Sequence, residues 1–500
     1  MGMLSPEELA RLVSAESLFP SPIPVQSVSS DEFMPAPQTP RQREFEARVK
    51  DVGARMAKHL GMSRRRFFQT AAGMAAAFVA MNDTYGPLFG VSRAEAAAPE
   101  AADARAKKLS GQFIMDMHTH FLRTGTRIQV FVEQRKAVGK AGWNPSLADK
   151  EQTIDDLMFA NYLKEIYLDS DTKVACISGA PSEIPEDWFL TNEMKAQARA
   201  DVNGLSGSKR MLSHAIFTPG YPGWIEAMDR AIEVLKPDSM KGYTIGDNTH
   251  KELSKHPWRM DDEKLVYPAY EKFQKAGLKN VCVHKGLFPP EVEKQFPHLL
   301  AYSDVRDVGK AAKDWPQLNF IIYHGGYRFA GGGSVNDAWA QFEQTGRIDW
   351  VTDLAEIPAK FGVKNVYADV GQLFAQSTLA DPRVSAVMMG QLIKGLGVEH
   401  VCWGTDAIWT GSPQWQIEAL RRLEIPEPLQ KQYGLAPLGP ADGPVKNAIF
   451  GANNARLYHY KPQQHAELEH DKLSRYKELY AEAGAGRTNL AYGYALPGRG

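Results

Sequence analysis

The chain has little cysteine, three residues in 500, and Cys176, Cys282 and Cys402 lie far apart. Each sits in an apolar, strand-like run, which argues against a disulfide framework or a thiolate metal site and predicts buried thiols. Neither sign of charge is in excess: 58 Lys and Arg stand against 59 Asp and Glu, for a net charge of −1. Without a basic field there is no electrostatic footprint for nucleic acid or an anionic membrane, so the expected partner is a small-molecule substrate. No apolar run reaches the about eighteen residues that a transmembrane helix needs. Nor does a glycine-rich phosphate fingerprint follow any strand candidate, which argues against a doubly wound nucleotide-binding sheet.

What is present is an alternation. Apolar strand candidates occur at 113–118, 173–177, 211–217, 239–245, 280–284, 319–324, 365–370 and 400–404. Helical stretches such as 267–276 and 385–395 separate them, and eight βαβ-type repeats predict a closed (β/α)₈ TIM barrel. The α/β barrel is assigned to residues 110–460, with 447–457 as its closing helix. An N-terminal extension spans 1–62. It is Pro- and Ser-rich to residue 40 and expected to be disordered there, except for a short helix at 6–13; an amphipathic helix carrying Phe45, Val49, Val52, Met56 and Leu60 on one face follows. A C-terminal helix and arm fill 461–500, and the insertion 122–170 is expected to fold over the barrel mouth as a lid.

Residues 63–98 form a separate segment. Ser63-Arg64-Arg65-Arg66-Phe67-Phe68-Gln69 precedes a weakly apolar run over 70–80, and Ala-x-Ala sites follow at Ala94-Glu95-Ala96 and Ala96-Ala97-Ala98. The pattern resembles a twin-arginine export signal, although Phe68 and Gln69 stand where Leu and Lys are commoner. It also begins after residue 62, which implies either a long leading region or initiation at Met62. The resemblance implies folded export to the periplasm by twin-arginine machinery; the other reading is an Ala-rich helix of a cytoplasmic protein.

In a barrel of this kind the chemistry lies at the C-terminal ends of the strands. Strand one carries Asp116-Met117-His118-Thr119-His120, and alternation puts Asp116, His118 and His120 on one face. The fourth strand carries Lys241, the fifth ends in His284-Lys285, the sixth in His324, the seventh in Asp369 and the eighth in Gly404-Thr405-Asp406. One strand-end histidine is ordinarily a hydrogen-bonded structural residue, but four with an aspartate point to a metal site. Imidazole and carboxylate donors suit zinc first, with manganese, iron or cobalt as alternatives. Trp403, Trp409 and Trp415 near Asp406, with Phe288 and Tyr327, suggest a pocket for a planar or apolar substrate. Arg123, Arg127, Lys285 and Arg328 are candidates for a substrate carboxylate, with Lys241 either structural or facing the substrate.

The order His-x-His, His, His, Asp resembles the amidohydrolase superfamily. The phrases Val283-His284-Lys285-Gly286, Tyr323-His324-Gly325-Gly326 and Trp403-Gly404-Thr405-Asp406 resemble its amidohydrolase-related branch, which includes aminocarboxymuconate-semialdehyde decarboxylase and resorcylate-type decarboxylases. That resemblance implies one divalent metal held by His118, His120, His284 and Asp406, with Asp406 also a proton shuttle and His324 an acid/base or polarising group. It implies a hydrolase using activated water on a small cyclic or aromatic carboxylate, or alternatively a non-oxidative decarboxylase. A non-catalytic metal-binding protein, assembling through its extension and arm, is the reading from another class. Homo-oligomer formation is left open.

Overall fold

A computed structural model describes residues 21–25, 39–124, 136, 157–329, 331–409 and 411–485. The expectations for 6–13, for most of the 122–170 insertion and for the arm beyond 485 lie outside these residues.

Eight strands form one sheet in sequence order: β1 Met115–Thr119, β2 Val174–Ile177, β3 Met211–Ile216, β4 Ser239–Tyr243, β5 Asn280–His284, β6 Asn319–Tyr323, β7 Val366–Asp369 and β8 Val401–Cys402. All seven pairings are parallel. Although β8 is only two residues long, the chain beyond it continues the seam to β1: Asp406 N donates to His118 O at 2.8 Å, and His120 N donates to Ala407 O at 2.6 Å. The side chain of Asn454 locks the same seam, its Nδ2 donating to Met115 O and to Trp403 O at 2.6 and 2.9 Å. The expected closing helix 447–457 is present as one continuous helical stretch with a wide turn at Ala448–Ala452.

Parallel strands are covered on both faces, which is why they read as nearly continuous apolar runs. Residues facing inward from strands on opposite sides of the barrel, among them Cys176, Leu212, Cys282, Ile321 and Cys402, form one cluster. The thiols are thus free and buried as expected, and burial pushes all three up from the ordinary range. Outward residues such as Val281, Val283, Phe320, Ile322 and Val366 meet the helix layer.

Five N-terminal helices pack on the outside of the barrel: α1 Pro40–His59, α2 Arg64–Phe67, α3 Ala71–Tyr85, α4 Arg93–Ala97 and α5 Pro99–Leu109. The expected face of α1 is the one used, since Phe45, Val49 and Val52 are buried in the main core. At the other end, helix Lys472–Glu482 docks through buried Leu473, and Asp471 before it binds Arg210. No helix among the described residues is long and apolar enough to cross a membrane.

Candidate metal centre and active site

The strand ends bring His118, His120 and Asp406 together. Their facing atoms, His118 Nε2, His120 Nε2 and Asp406 Oδ1, stand 3.1 to 3.3 Å from one another, and all three side chains are buried. His118 Nδ1 donates to Asp369 Oδ1 at 2.9 Å, which leaves Nε2 with its lone pair directed at the other two donors. Three lone-pair atoms crowded into one buried point repel unless a proton or a metal cation lies between them. The residues therefore fit a divalent metal. His284 and His324 stand beside this group. His324 Nδ1 donates to Gly371 O at 2.9 Å, so its bare Nε2 faces His284 Nδ1 at 3.0 Å. His324 also joins His118 and Asp369 in a second buried cluster of ligand type.

Electrostatics keep most of these imidazoles neutral, the form that binds metal. Burial first, and then the positive charge of neighbours including Lys241, hold His120, His284 and His324 well below the ordinary histidine range. Burial pushes His118 the same way, but the carboxylates of Asp406 and Asp369 outweigh it and raise that ring. Lys241 lies under the cluster in the barrel interior, with Nζ 3.0 Å from the centre of the Tyr323 ring. Tyr243 stacks on His284 and Trp409 on His120, with Phe189 edge-on to Trp409.

Four expectations need correction. Asp116 does not join the histidines: the β1–β2 register shifts between Asp116 and Thr119, and its carboxylate accepts from Thr405 N, Thr405 Oγ1 and His118 N instead. Burial raises that carboxyl to about 7, against the pull of those hydrogen bonds. Lys285 is fully buried in an ion pair with Asp307 at 2.8 Å, with a second bond to Tyr302 O, and cannot reach a substrate. Arg328 is taken by Glu293 and Asp349 and lies over the Trp350 ring. Among the aromatic candidates, only Trp409 belongs with the site, because Trp403, Trp415, Phe288 and Tyr327 face the helix layer. Arg123 donates to the carbonyls of Pro185 and Glu186 in the loop after β2. Arg127 lies outside the described residues.

Three residues gain importance that the sequence did not assign them. Asp369 orients His118 and also accepts from the backbone N–H of Gly371 at 3.1 Å. Its position at a strand end was visible, but its partner was not. Lys251, on the turn after β4, is buried, donates to Asn248 O at 2.8 Å and bears electrostatically on His284. Gln372 follows Gly371 with a positive φ of 58° and a buried amide. Strain of this kind at a non-glycine residue concentrates at functional sites, and Asp406 and His324 share it at φ 59° each.

Gly404 lets the seam approach the cluster. A Cβ there would overlap Asp369 Oδ2 and lie 2.7 Å from His118 Cβ. Gly404→Ala is expected to displace Asp369 from His118 and weaken metal affinity by about tenfold, toward the low end for loss of a carboxylate behind a histidine ligand. Equilibrium titration of chelated apoprotein with metal checks it.

A family model described as an amidohydrolase matches residues 115–460, most of the chain and all eight strands. The chain belongs to the amidohydrolase family. Members of this family are metal-dependent enzymes, in keeping with the His and Asp donors just described. No curated protein matches. Solved structures with a similar fold include an uncharacterised TIM-barrel protein from Bordetella bronchiseptica, at 13% identity and TM-score 0.43 over 71% of this chain and 99% of that one. A putative 2-pyrone-4,6-dicarboxylic acid hydrolase from Pseudomonas putida has 14% identity and TM-score 0.40, covering 70% and 98%. A 5-carboxyvanillate decarboxylase from Novosphingobium aromaticivorans, complexed with manganese and a nitrobenzoic acid, has 12% identity and TM-score 0.40, covering 70% and 97%. Likeness at this level does not extend to their chemistry.

Proposed function

We propose that this amidohydrolase-family enzyme hydrolyses a small cyclic or aromatic substrate that carries a carboxylate, using a single divalent metal, zinc before manganese, iron or cobalt. The observation that supports the reading most is the convergence of His118, His120 and Asp406 beside an imidazole, His324, whose Nδ1 is tied to Gly371 O and whose Nε2 carries no proton and faces His284 Nδ1. A metal bound by His118, His120, Asp406 and His284 supplies Lewis acidity and makes water acidic enough to ionise near neutral pH. The chain does the rest. Asp406 accepts the proton of the attacking water and returns it to the leaving group. The Gly371 carbonyl fixes the His324 tautomer, so Nε2 is a proton acceptor, and it takes the second proton of that water, the one freed as the new carboxylic acid ionises. Asp369 holds the His118 ring in register. Trp409 and Phe189 give a planar substrate an apolar wall, and Lys251 pairs with its carboxylate.

A screen on metal-replete protein, pairing cyclic lactones and amides with hydroxybenzoates, tests this. Ring opening is expected, and Lys251→Met is expected to raise KM about tenfold with kcat little changed. Release of carbon dioxide from a hydroxybenzoate without hydrolysis of any lactone or amide would replace this reading with a decarboxylase.

A further inference from the structure

The segment that resembles a twin-arginine leader is built into the fold. Ser63 and Thr70 cap successive helices, their hydroxyls accepting from Arg66 N at 3.2 Å and Gly73 N at 3.1 Å. The apolar run that follows forms α3, which is buried on nearly every side: Ala72, Ala75, Ala76, Ala77, Phe78, Ala80 and Met81 are all inaccessible to solvent. A helix apolar all round belongs to a protein interior or a membrane, and here the interior holds it. The fit is close on the side facing α1. The Phe68 ring occupies the space that a Cβ on Gly53 would need, and a Cβ on Gly73 would overlap the Phe67 carbonyl.

The far end of the segment is stitched to the barrel's helix layer. The Asn82 side chain holds Leu88 N, Phe89 N and Phe89 O, and Phe89 makes an antiparallel bridge to Leu423. Gly90 N donates to Arg422 O and Glu424 N to Leu88 O, both at 2.7 Å, while Tyr85 Oη donates to Ala380 O at 3.3 Å. Glu95 binds Arg422 at 2.6 Å, so a charge pair crosses between segment and barrel as well, and Arg105 on α5, just beyond the segment, binds Glu418 at 2.8 Å beside it. The first candidate cleavage site lies inside α4, with Ala96 buried. Cutting there or after Ala98 would remove Glu95 from Arg422 and strip α1 and α3 from the core.

We propose that residues 63–98 are not a removable leader but a permanent clamp on the barrel, retained in the mature protein together with α1. The same packing argues against initiation at Met62. Arg41 on α1 donates to Thr84 O at 3.2 Å, and Phe45 packs on Tyr85 with ring centroids 6.4 Å apart, so the helix upstream of Met62 belongs to the same body. The inference is independent of the reaction proposed above.

The test is the N-terminus of the full chain, carrying a C-terminal tag and made in a bacterium with an active twin-arginine route. Intact mass and N-terminal sequencing are expected to give a chain that begins upstream of Thr39, unchanged in cellular distribution when Arg64 and Arg65 are both replaced by lysine. A stable product beginning at residue 97 or 99 would overturn the proposal, as would a shift from periplasm to cytoplasm on that double replacement. Glu95→Gln supplies a reading that does not depend on processing: a lower Tm is expected, and an unchanged Tm would show that the contact with Arg422 clamps nothing.

Discussion

His324→Asn is expected to keep about one equivalent of divalent metal per chain and to lose about 10²-fold or more in kcat, the size typical for one acid/base group. Asp406→Asn is expected to lose both metal and activity. The difference follows from where the two side chains point. Asp406 Oδ1 meets the donor atoms of His118 and His120, whereas His324 turns its Nε2 to His284 Nδ1 and is held from behind by Gly371 O. His118→Ala and His284→Ala should also release the metal. Elemental analysis of each purified variant, with circular dichroism to establish that the barrel is intact, separates loss of a ligand from unfolding. A metal-free but folded His324→Asn would move β6 into the ligand set, where the second cluster of His118, His324 and Asp369 offers an alternative. Two equivalents of metal in the unmodified protein would remove the mononuclear reading.

Glu418→Gln is expected to destabilise the fold by about 2–3 kcal/mol, below the full cost of an unpaired buried charge. Arg421 keeps Asp171 at 2.7 Å and Arg422 keeps Glu95 at 2.6 Å, while the junction is left with one positive charge in excess. Glu418 accepts from Arg421 and Arg105, both at 2.8 Å, and from Arg422 at 3.3 Å. Burial alone would raise its carboxyl, but Arg421, Arg105 and Arg422 outweigh burial and hold it at about 2 instead of 4.5. A depressed folded-state value means that the stabilisation is present in full above pH 4.5 and is lost as the pH falls from there to about 2. Urea unfolding of both proteins from neutral pH downward should show the advantage of the unmodified chain shrinking through that window. A constant difference across it would mean that the carboxylate's charge is not what stabilises the junction.

Both predictions rest on residues of unequal legibility. The eight strands could be read because parallel strands buried on two faces leave continuous apolar runs, and four of the histidines could be read because barrels place chemistry at strand ends. The family resemblance read from the three strand-end phrases agrees with the family match over 115–460. What could not be read was anything set by a distant partner. Lys285 and Arg328 have the chemistry of carboxylate anchors, and nothing local announces that Asp307, Glu293 and Asp349 will claim them. Asp116 was assigned to the histidine face by strict alternation, but its carboxylate is claimed by Thr405, a partner that nothing local announces. Residues 70–80 illustrate a different limit, since an alanine-rich run has the same composition whether it is destined for a translocase or for a core.

The seam of the barrel joins the first strand to the last, and Asp116 and Thr405, hydrogen-bonded across it, are 289 residues apart. A ribosome adding about 5–20 residues per second therefore releases His118 and His120 roughly 15 to 60 s before Asp406 exists. During that interval the nascent chain can offer a cation its imidazoles and, once β7 is made, Asp369, but not the Asp406 carboxylate that meets both His118 and His120. A chain that stalls or is cut before β8 keeps the histidines and never gains Asp406, so tight metal retention reports that synthesis passed the last strand.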